Sequence, residues 1–204
     1  MQIWVYSGKL LAYNQKLMPL YVYLQLIFFL SELSLLLFKR AKSGKIKNER
    51  DRRSLLLLWI VIATASSAGP WTAFTYHIWA LDNYRVVEIA AIAIFALGFI
   101  IRWSAIYQLG NMFTVNVVIS DTHTLKTSGL YKIVRHPSYL GLLLIVTGLG
   151  VSLDSALSLL VMLVPIFIVL SHRINVEEQA LTEEFGEQYI NYKTRVKKLI
   201  PGIY

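Results

Sequence analysis

YLGLLLIVTGLGVSLDSALSLLVMLVPIFIVLS, Tyr139 to Ser171, holds one charged side chain, Asp154, in its whole length. Its apolar residues form a block instead of one stripe, which marks a helix buried in lipid or protein on every side. The halves, about Tyr139–Leu153 and Ser155–Ser171, are short and divided only at Asp154. They predict a tight helical hairpin or a partly re-entrant pair. Three further apolar segments precede it. The first runs from about Pro19 to Phe38, the second from Ser54 to about Ala80, and the third from about Val86 to Tyr107. Each approaches or exceeds the ~20 residues that span a bilayer as a helix. Gly69-Pro70 lies within the second and is expected to kink it without ending it.

The composition agrees with this reading. Of 204 residues, 56% are hydrophobic and 16% charged, too little polar surface to cover a soluble domain of this size. The chain is read as an all-α polytopic membrane protein with about five transmembrane helices. It has no cysteine, which excludes disulfides, thiolate nucleophiles and thiolate–metal sites. The start, MQIWVYSGKLLAYNQK, lacks a basic head followed by a long apolar core and is not read as a cleaved signal.

The net charge of +8 is unevenly placed. Eight of the twenty basic residues fall in FKRAKSGKIKNERDRR, Phe38–Arg53, directly after an apolar segment. Such a cluster faces anionic membrane lipid on the cytoplasmic side, and no nucleic-acid partner is expected. With that loop inside, only Lys9, Lys16 and Arg85 lie outside. The predicted topology is N-terminus outside and C-terminus cytoplasmic. Two polar segments, roughly 108–138 and 172–204, then share the inner face with the basic loop and flank the hairpin, so an active site is expected there. The chain divides into residues 1–107, three helices with the basic loop 39–53, and residues 108–204, which contain the hairpin 139–171 and a C-terminal cytoplasmic helix.

From Arg173 to Phe185 the spacing of Val176, Ala180, Leu181 and Phe185 is helical. Arg173 and Glu177 stand four apart and share one face where the helix leaves the membrane, where a charge requires a partner or a task. Upstream, GLYKIVRHPSYLG (Gly129–Gly141) places Arg135 and His136 before Pro137, which suits the first turn of a helix. The stretch before it, NVVISDTHTLKTSG, is polar, turn-rich and longer than a minimal connector. There is no Walker loop. Gly148-Leu149-Gly150 lies inside an apolar segment and is read as helix packing by small residues. No pair of His, Glu or Asp has zinc-ligand spacing, and no metal is expected, although His123, His136 and His172 share the inner side. Asp154, at the turn, and Glu32, in the first helix, are read as structural, with the intramembrane glutamate a flag.

The run HTLKTSGLYKIVRHPSYLG, then R-x-x-x-E-E, EEFGEQYINY and a final R-V-x-x-L-I-P, resembles the isoprenylcysteine carboxyl methyltransferases, integral membrane enzymes that use S-adenosylmethionine. The resemblance covers about Asn116 to Pro201. It implies that residues 108–204 form the methyltransferase region. It assigns cofactor contacts to Asn116, where some relatives have glutamine, and to His123, Thr124, Leu125, Lys126, Tyr131, His136, Pro137, Ser138, Tyr139 and Glu177. Arg173 matches an arginine at the substrate carboxylate, so Arg173 and Glu177 are the expected catalytic pair. The implied acceptor is an isoprenylcysteine-like or other lipophilic carboxylate drawn from the bilayer. A phospholipid N-methyltransferase, a sterol-reductase-like enzyme using NADPH, and a non-enzymatic scaffold or transporter subunit remain alternatives.

Overall fold

The computed structural model describes residues 2–38, 49–76, 83–110 and 125–202. In chain order the helices are α1 (Gln2–Phe38), α2 (Glu49–Tyr76), α3 (Tyr84–Leu109), α4 (Pro137–Val151), α5 (Ala156–Phe185) and α6 (Glu187–Arg195), with a 3-10 turn at Gly129–Lys132 before α4. Four of these are long and apolar enough to cross a membrane, over Met18–Leu37, Arg52–Tyr76, Tyr84–Leu109 and Ala156–Phe185. Large apolar side chains on them point outward, among them Phe29, Trp71, Ile89, Ile100 and Ile168. Such a surface suits lipid and not water. The chain is an integral membrane protein.

The fourth apolar segment, α4, has 15 residues, fewer than a full crossing needs. The hairpin is present: α4 ends at Val151, and Asp154, with φ of 45°, turns the chain into α5. Ser155 caps α5 by accepting a hydrogen bond from the Ser158 backbone N–H at 3.3 Å. Two differences from the sequence reading stand out. The fifth apolar segment and the charged segment after it form one uninterrupted 30-residue helix, because nothing between Ser171 and Phe185 breaks the helical pattern. Gly186, with φ of +51°, ends it. The first helix also begins well before Pro19, which lies inside it. Pro70 likewise sits within α2, as expected.

Although α4 and α5 are joined by a tight turn, each packs mainly elsewhere, α4 on α3 and α5 on α2. The α3–α4 seam is close because it is made of small residues. A Cβ on Gly98 would lie 2.6 Å from the Ile145 backbone N, and one on Gly148 would lie 2.7 Å from the Phe95 backbone N. This accounts for Gly148 of the Gly148-Leu149-Gly150 run, which lets α3 and α4 touch backbone to backbone, while Gly150 makes room for Leu159 of α5. The α2–α5 pair is joined by a hydrogen bond between the Thr72 and Ser158 hydroxyls, 3.0 Å apart and buried. Ile145, Leu149, Met162, Ile166, Leu170 and Ile174 fill the core between the pairs.

Candidate active site at the entry to α4

The turn-rich stretch before α4 is tied down from three sides. Gly129 adopts φ of +67°. Its neighbour Leu130 donates its backbone N–H to Gln108 Oε1 at 2.9 Å, at the end of α3. The Tyr131 hydroxyl reaches the Ala105 carbonyl at 3.3 Å, and Tyr192 of α6 donates to the Tyr131 carbonyl at 2.5 Å. The C-terminal tail then runs parallel to residues 134–136. Arg135 N–H donates to the Lys197 carbonyl at 2.8 Å, and His136 N–H to the Lys198 carbonyl at 3.1 Å. The final R-V-x-x-L-I-P motif is therefore the strap that holds the RHP motif. Leu199, wholly buried, anchors that strap in the core.

From this frame two polar clusters project, one on each side of the α5 residues Glu177 and Glu178. Neighbouring residues on a helix point about 100° apart, so the two carboxylates face different partners. Glu178 is buried and receives Arg135 Nε at 2.8 Å and His136 Nε2 at 3.1 Å, with Lys193 Nζ 3.6 Å from its other oxygen. Arg135 also donates to the carbonyls of Lys193 at 3.2 Å and of Val196. This cluster locks α5, α6, the tail and the start of α4 together.

The second cluster is the one the Arg173/Glu177 spacing predicts. Both residues lie on one face of α5, and the Tyr139 hydroxyl stands between them. It donates to Glu177 Oε2 at 2.8 Å and accepts from Arg173 Nε at 3.4 Å. Arg173 also donates from Nη1 to Ser54 Oγ at 2.8 Å, at the start of α2. Its side chain is 1% exposed. The His136 and Tyr139 rings stack, 5.7 Å between centroids at 27°. Pro137 occupies the first turn of α4, where its missing N–H leaves nothing unsatisfied.

A third set was not read as part of the site from sequence. Arg102 of α3 makes two hydrogen bonds to Glu32 of α1, Nε–Oε1 at 2.6 Å and Nη2–Oε2 at 2.7 Å. Its remaining nitrogen, Nη1, reaches both the carbonyl and the hydroxyl of Ser138 at 3.2 Å. Two charged residues isolated in separate apolar segments were the available signal, because each requires a partner.

Surrounding phenols are kept neutral. The Tyr192 phenol is pushed up to about 12, first by burial, against the pull of Arg135. Tyr131 is raised too, by burial foremost and then by Glu177, and Tyr189 by burial foremost and then by Glu178 and Glu177. All three stay hydrogen-bond donors at neutral pH.

Of the residues expected to contact a cofactor, the structure gathers His136, Pro137, Ser138, Tyr139 and Glu177, with Tyr131 behind them. Leu125 and Lys126 lie half-exposed just ahead of the 3-10 turn. Asn116, His123 and Thr124 lie outside the described residues. Besides Arg102, the residues to which the sequence reading gave no site role are Ser54, Arg135 and Glu178.

Comparison with known proteins shows what these features are similar to. Residues 89–183 match the model of the isoprenylcysteine carboxyl methyltransferase (ICMT) family, a match that begins in α3, earlier than the C-terminal motifs suggested. Protein-S-isoprenylcysteine O-methyltransferase B of Arabidopsis thaliana is 34% identical over 127 residues, 61% of this chain and 61% of that protein. The mouse (Mus musculus) protein-S-isoprenylcysteine O-methyltransferase is 32% identical over 155 residues, 74% of this chain and 55% of its own length. The chain thus spans a little over half to three fifths of these two relatives. The structure of the eukaryotic intramembrane Ras methyltransferase ICMT superposes with a TM-score of 0.67 at 25% identity, covering 94% of this chain and 68% of that one. Residues 89–183, from α3 into α5, are thus similar to the isoprenylcysteine carboxyl methyltransferase family, and the fold that carries them is similar to that of the solved ICMT.

Proposed function

We propose that this protein transfers the methyl group of S-adenosylmethionine to a lipophilic carboxylate, that of an isoprenylcysteine or a chemically similar group, at the inner surface of the membrane. The observation that carries the reading is the Arg173–Tyr139–Glu177 arrangement: a guanidinium, a phenol and a carboxylate joined through the Tyr139 hydroxyl, whose ring stacks on His136. These residues suit the cofactor. Glu177 offers a carboxylate to its cationic end, the stacked rings offer an aromatic face to its base, and the buried Tyr189 hydroxyl has no hydrogen-bond partner among the described residues. Leu125, Lys126, Tyr131, Pro137 and Ser138 would complete its walls, with Asn116, His123 and Thr124 contributing from the connecting segment. When bound, S-adenosylmethionine supplies an electrophilic methyl group on a sulfonium.

The chain's part is then positional. A carboxylate is already ionised at neutral pH and requires no general base. Arg173, planar and held by Ser54 and Tyr139, takes the acceptor carboxylate as a guanidinium does, through paired N–H donors. Its burial excludes the water that would compete for that carboxylate, and holding the reacting groups in line supplies the acceleration. Glu177 is engaged by the Tyr139 hydroxyl. Residues 1–107 form the lipid-facing walls and residues 108–204 the reaction site. The N-terminus is outside and the C-terminus cytoplasmic, with the basic loop 39–53 against anionic lipid. The acceptor enters from the bilayer.

The test is transfer of tritium from methyl-labelled S-adenosylmethionine to an S-farnesylcysteine with a blocked amine, using the full chain in detergent. Label released by mild base is a methyl ester and supports the reading. Base-stable label would indicate an amine acceptor, and binding of NADPH in place of the methyl donor would overturn the methyltransferase assignment.

A further inference from the structure

The buried Glu32–Arg102 pair invites a question that the proposed reaction does not answer. It joins residues 70 positions apart in sequence, and the side chains are 5% and 8% exposed. If it served only to staple α1 to α3, apolar side chains of similar volume would do as well, since a buried ion pair is often neutral or worse than well-packed hydrophobes. The remaining Arg102 nitrogen shows what else the pair does. Nη1 grips Ser138 twice, at its carbonyl and its hydroxyl, both at 3.2 Å. Ser138 is the second residue of α4, and the next residue is Tyr139, whose hydroxyl lies between Arg173 and Glu177.

We propose that Arg102, held in place by Glu32, is a positioning residue that sets the first turn of α4 and through it the Tyr139 hydroxyl, so that α1 and α3 contribute to the site. The inference rests on the functional reading above. The geometry is direct: the guanidinium is fixed on one side by both carboxylate oxygens, and a fork so held transmits its position to Ser138 without slack. The peptide bond between them carries that position directly from Ser138 to Tyr139. On the other side, Tyr139 is met by a second buried arginine, Arg173. The first turn of α4 is thereby set between two guanidiniums on α3 and α5. A site that works by positioning is sensitive to this, since a displacement of about 1 Å at such a group lowers rates on the order of a hundredfold.

The experiment uses the full chain in detergent and a thermodynamic cycle. The double variant Glu32→Met/Arg102→Met removes both charges while keeping volume, so that neither is left buried alone. It is combined with Tyr139→Phe. Two quantities are read: S-adenosylmethionine affinity by titration calorimetry, and hydrogen exchange of peptide 137–142 by mass spectrometry. The expected result is faster exchange in that peptide and about tenfold weaker binding in the double variant, the factor carried by one interaction of about 1.4 kcal/mol. That loss disappears when the Tyr139 hydroxyl is already absent, because the two changes act on one group. Arg102→Lys, which keeps a charge opposite Glu32 but lacks the fork, is expected to reproduce the defect and serves in place of the double variant if that does not fold. Full additivity with Tyr139→Phe, or wild-type affinity in either Arg102 variant, would overturn the positioning role while leaving the methyltransferase reading intact. A wild-type chain that bound no S-adenosylmethionine would overturn that reading and this proposal together.

Discussion

The two ends of α4 are held by different physics. Towards its C-terminus the helix is placed by shape: Gly148 lies against the Phe95 backbone, Gly150 against Leu159, and Ile145 and Leu149 are wholly buried. At its N-terminus it is placed by charge and hydrogen bonds, with Arg102 on Ser138, Arg173 on Tyr139, and the Arg135–Glu178–His136 cluster just outside. Shape places a helix but gives way in small increments, whereas a buried charge network gives way all at once, because the partner left behind is stranded. Rigid packing at one end and a polar lock at the other suit a helix whose first turn must keep a fixed position.

The comparison is tested most severely at the polar end. Arg173→Ala and Glu177→Ala are each expected to abolish methyl transfer while the protein still elutes as a monodisperse, helical species. Full transfer in either would remove the pair from the reaction. Next in size is Glu178→Ala, which strands buried Arg135 beside His136. Removing one partner of a buried pair costs about 3–5 kcal/mol, so the expected result is a large drop in thermal stability in detergent. A drop no larger than that of a surface substitution would show that the lock is not buried as described.

At the packed end the effects are smaller. Gly148→Ala places a methyl 2.7 Å from the Phe95 backbone N and is expected to cost about 1–3 kcal/mol by forcing α3 and α4 apart. Transfer by the folded fraction should be less affected than in any polar-end variant. The reverse ranking would mean that the α3–α4 seam, and not the charge network, governs the site. Smallest is Thr72→Val, which removes the hydroxyl paired with Ser158 between α2 and α5. It should cost about 1 kcal/mol, read as a modest shift in melting temperature with no change in transfer.

The same division governs what was legible beforehand. The apolar segments, the hairpin turning at Asp154, and the common face of Arg173 and Glu177 follow from local composition and helical period. The role of the final R-V-x-x-L-I-P did not. Its backbone pairs with residues 134–136, some sixty positions upstream, and no local signal announces such pairing. Arg102 and Glu32 were visible one at a time as charges in apolar segments, yet the link between them depends on how α1 and α3 sit beside each other.

By itself the sequence determined the class of the protein, the apolar segments and the helical face that carries Arg173 and Glu177. Each of these depends on hydrophobicity or spacing within a single segment, and the bilayer imposes helices on such segments. Only the tertiary structure decided that Tyr139 stands between Arg173 and Glu177, that Glu178 belongs to a separate lock, and that Arg102 reaches α4. These are contacts between side chains from different helices, and their partners are chosen by helix packing, which small residues such as Gly98 and Gly148 permit and no single segment encodes.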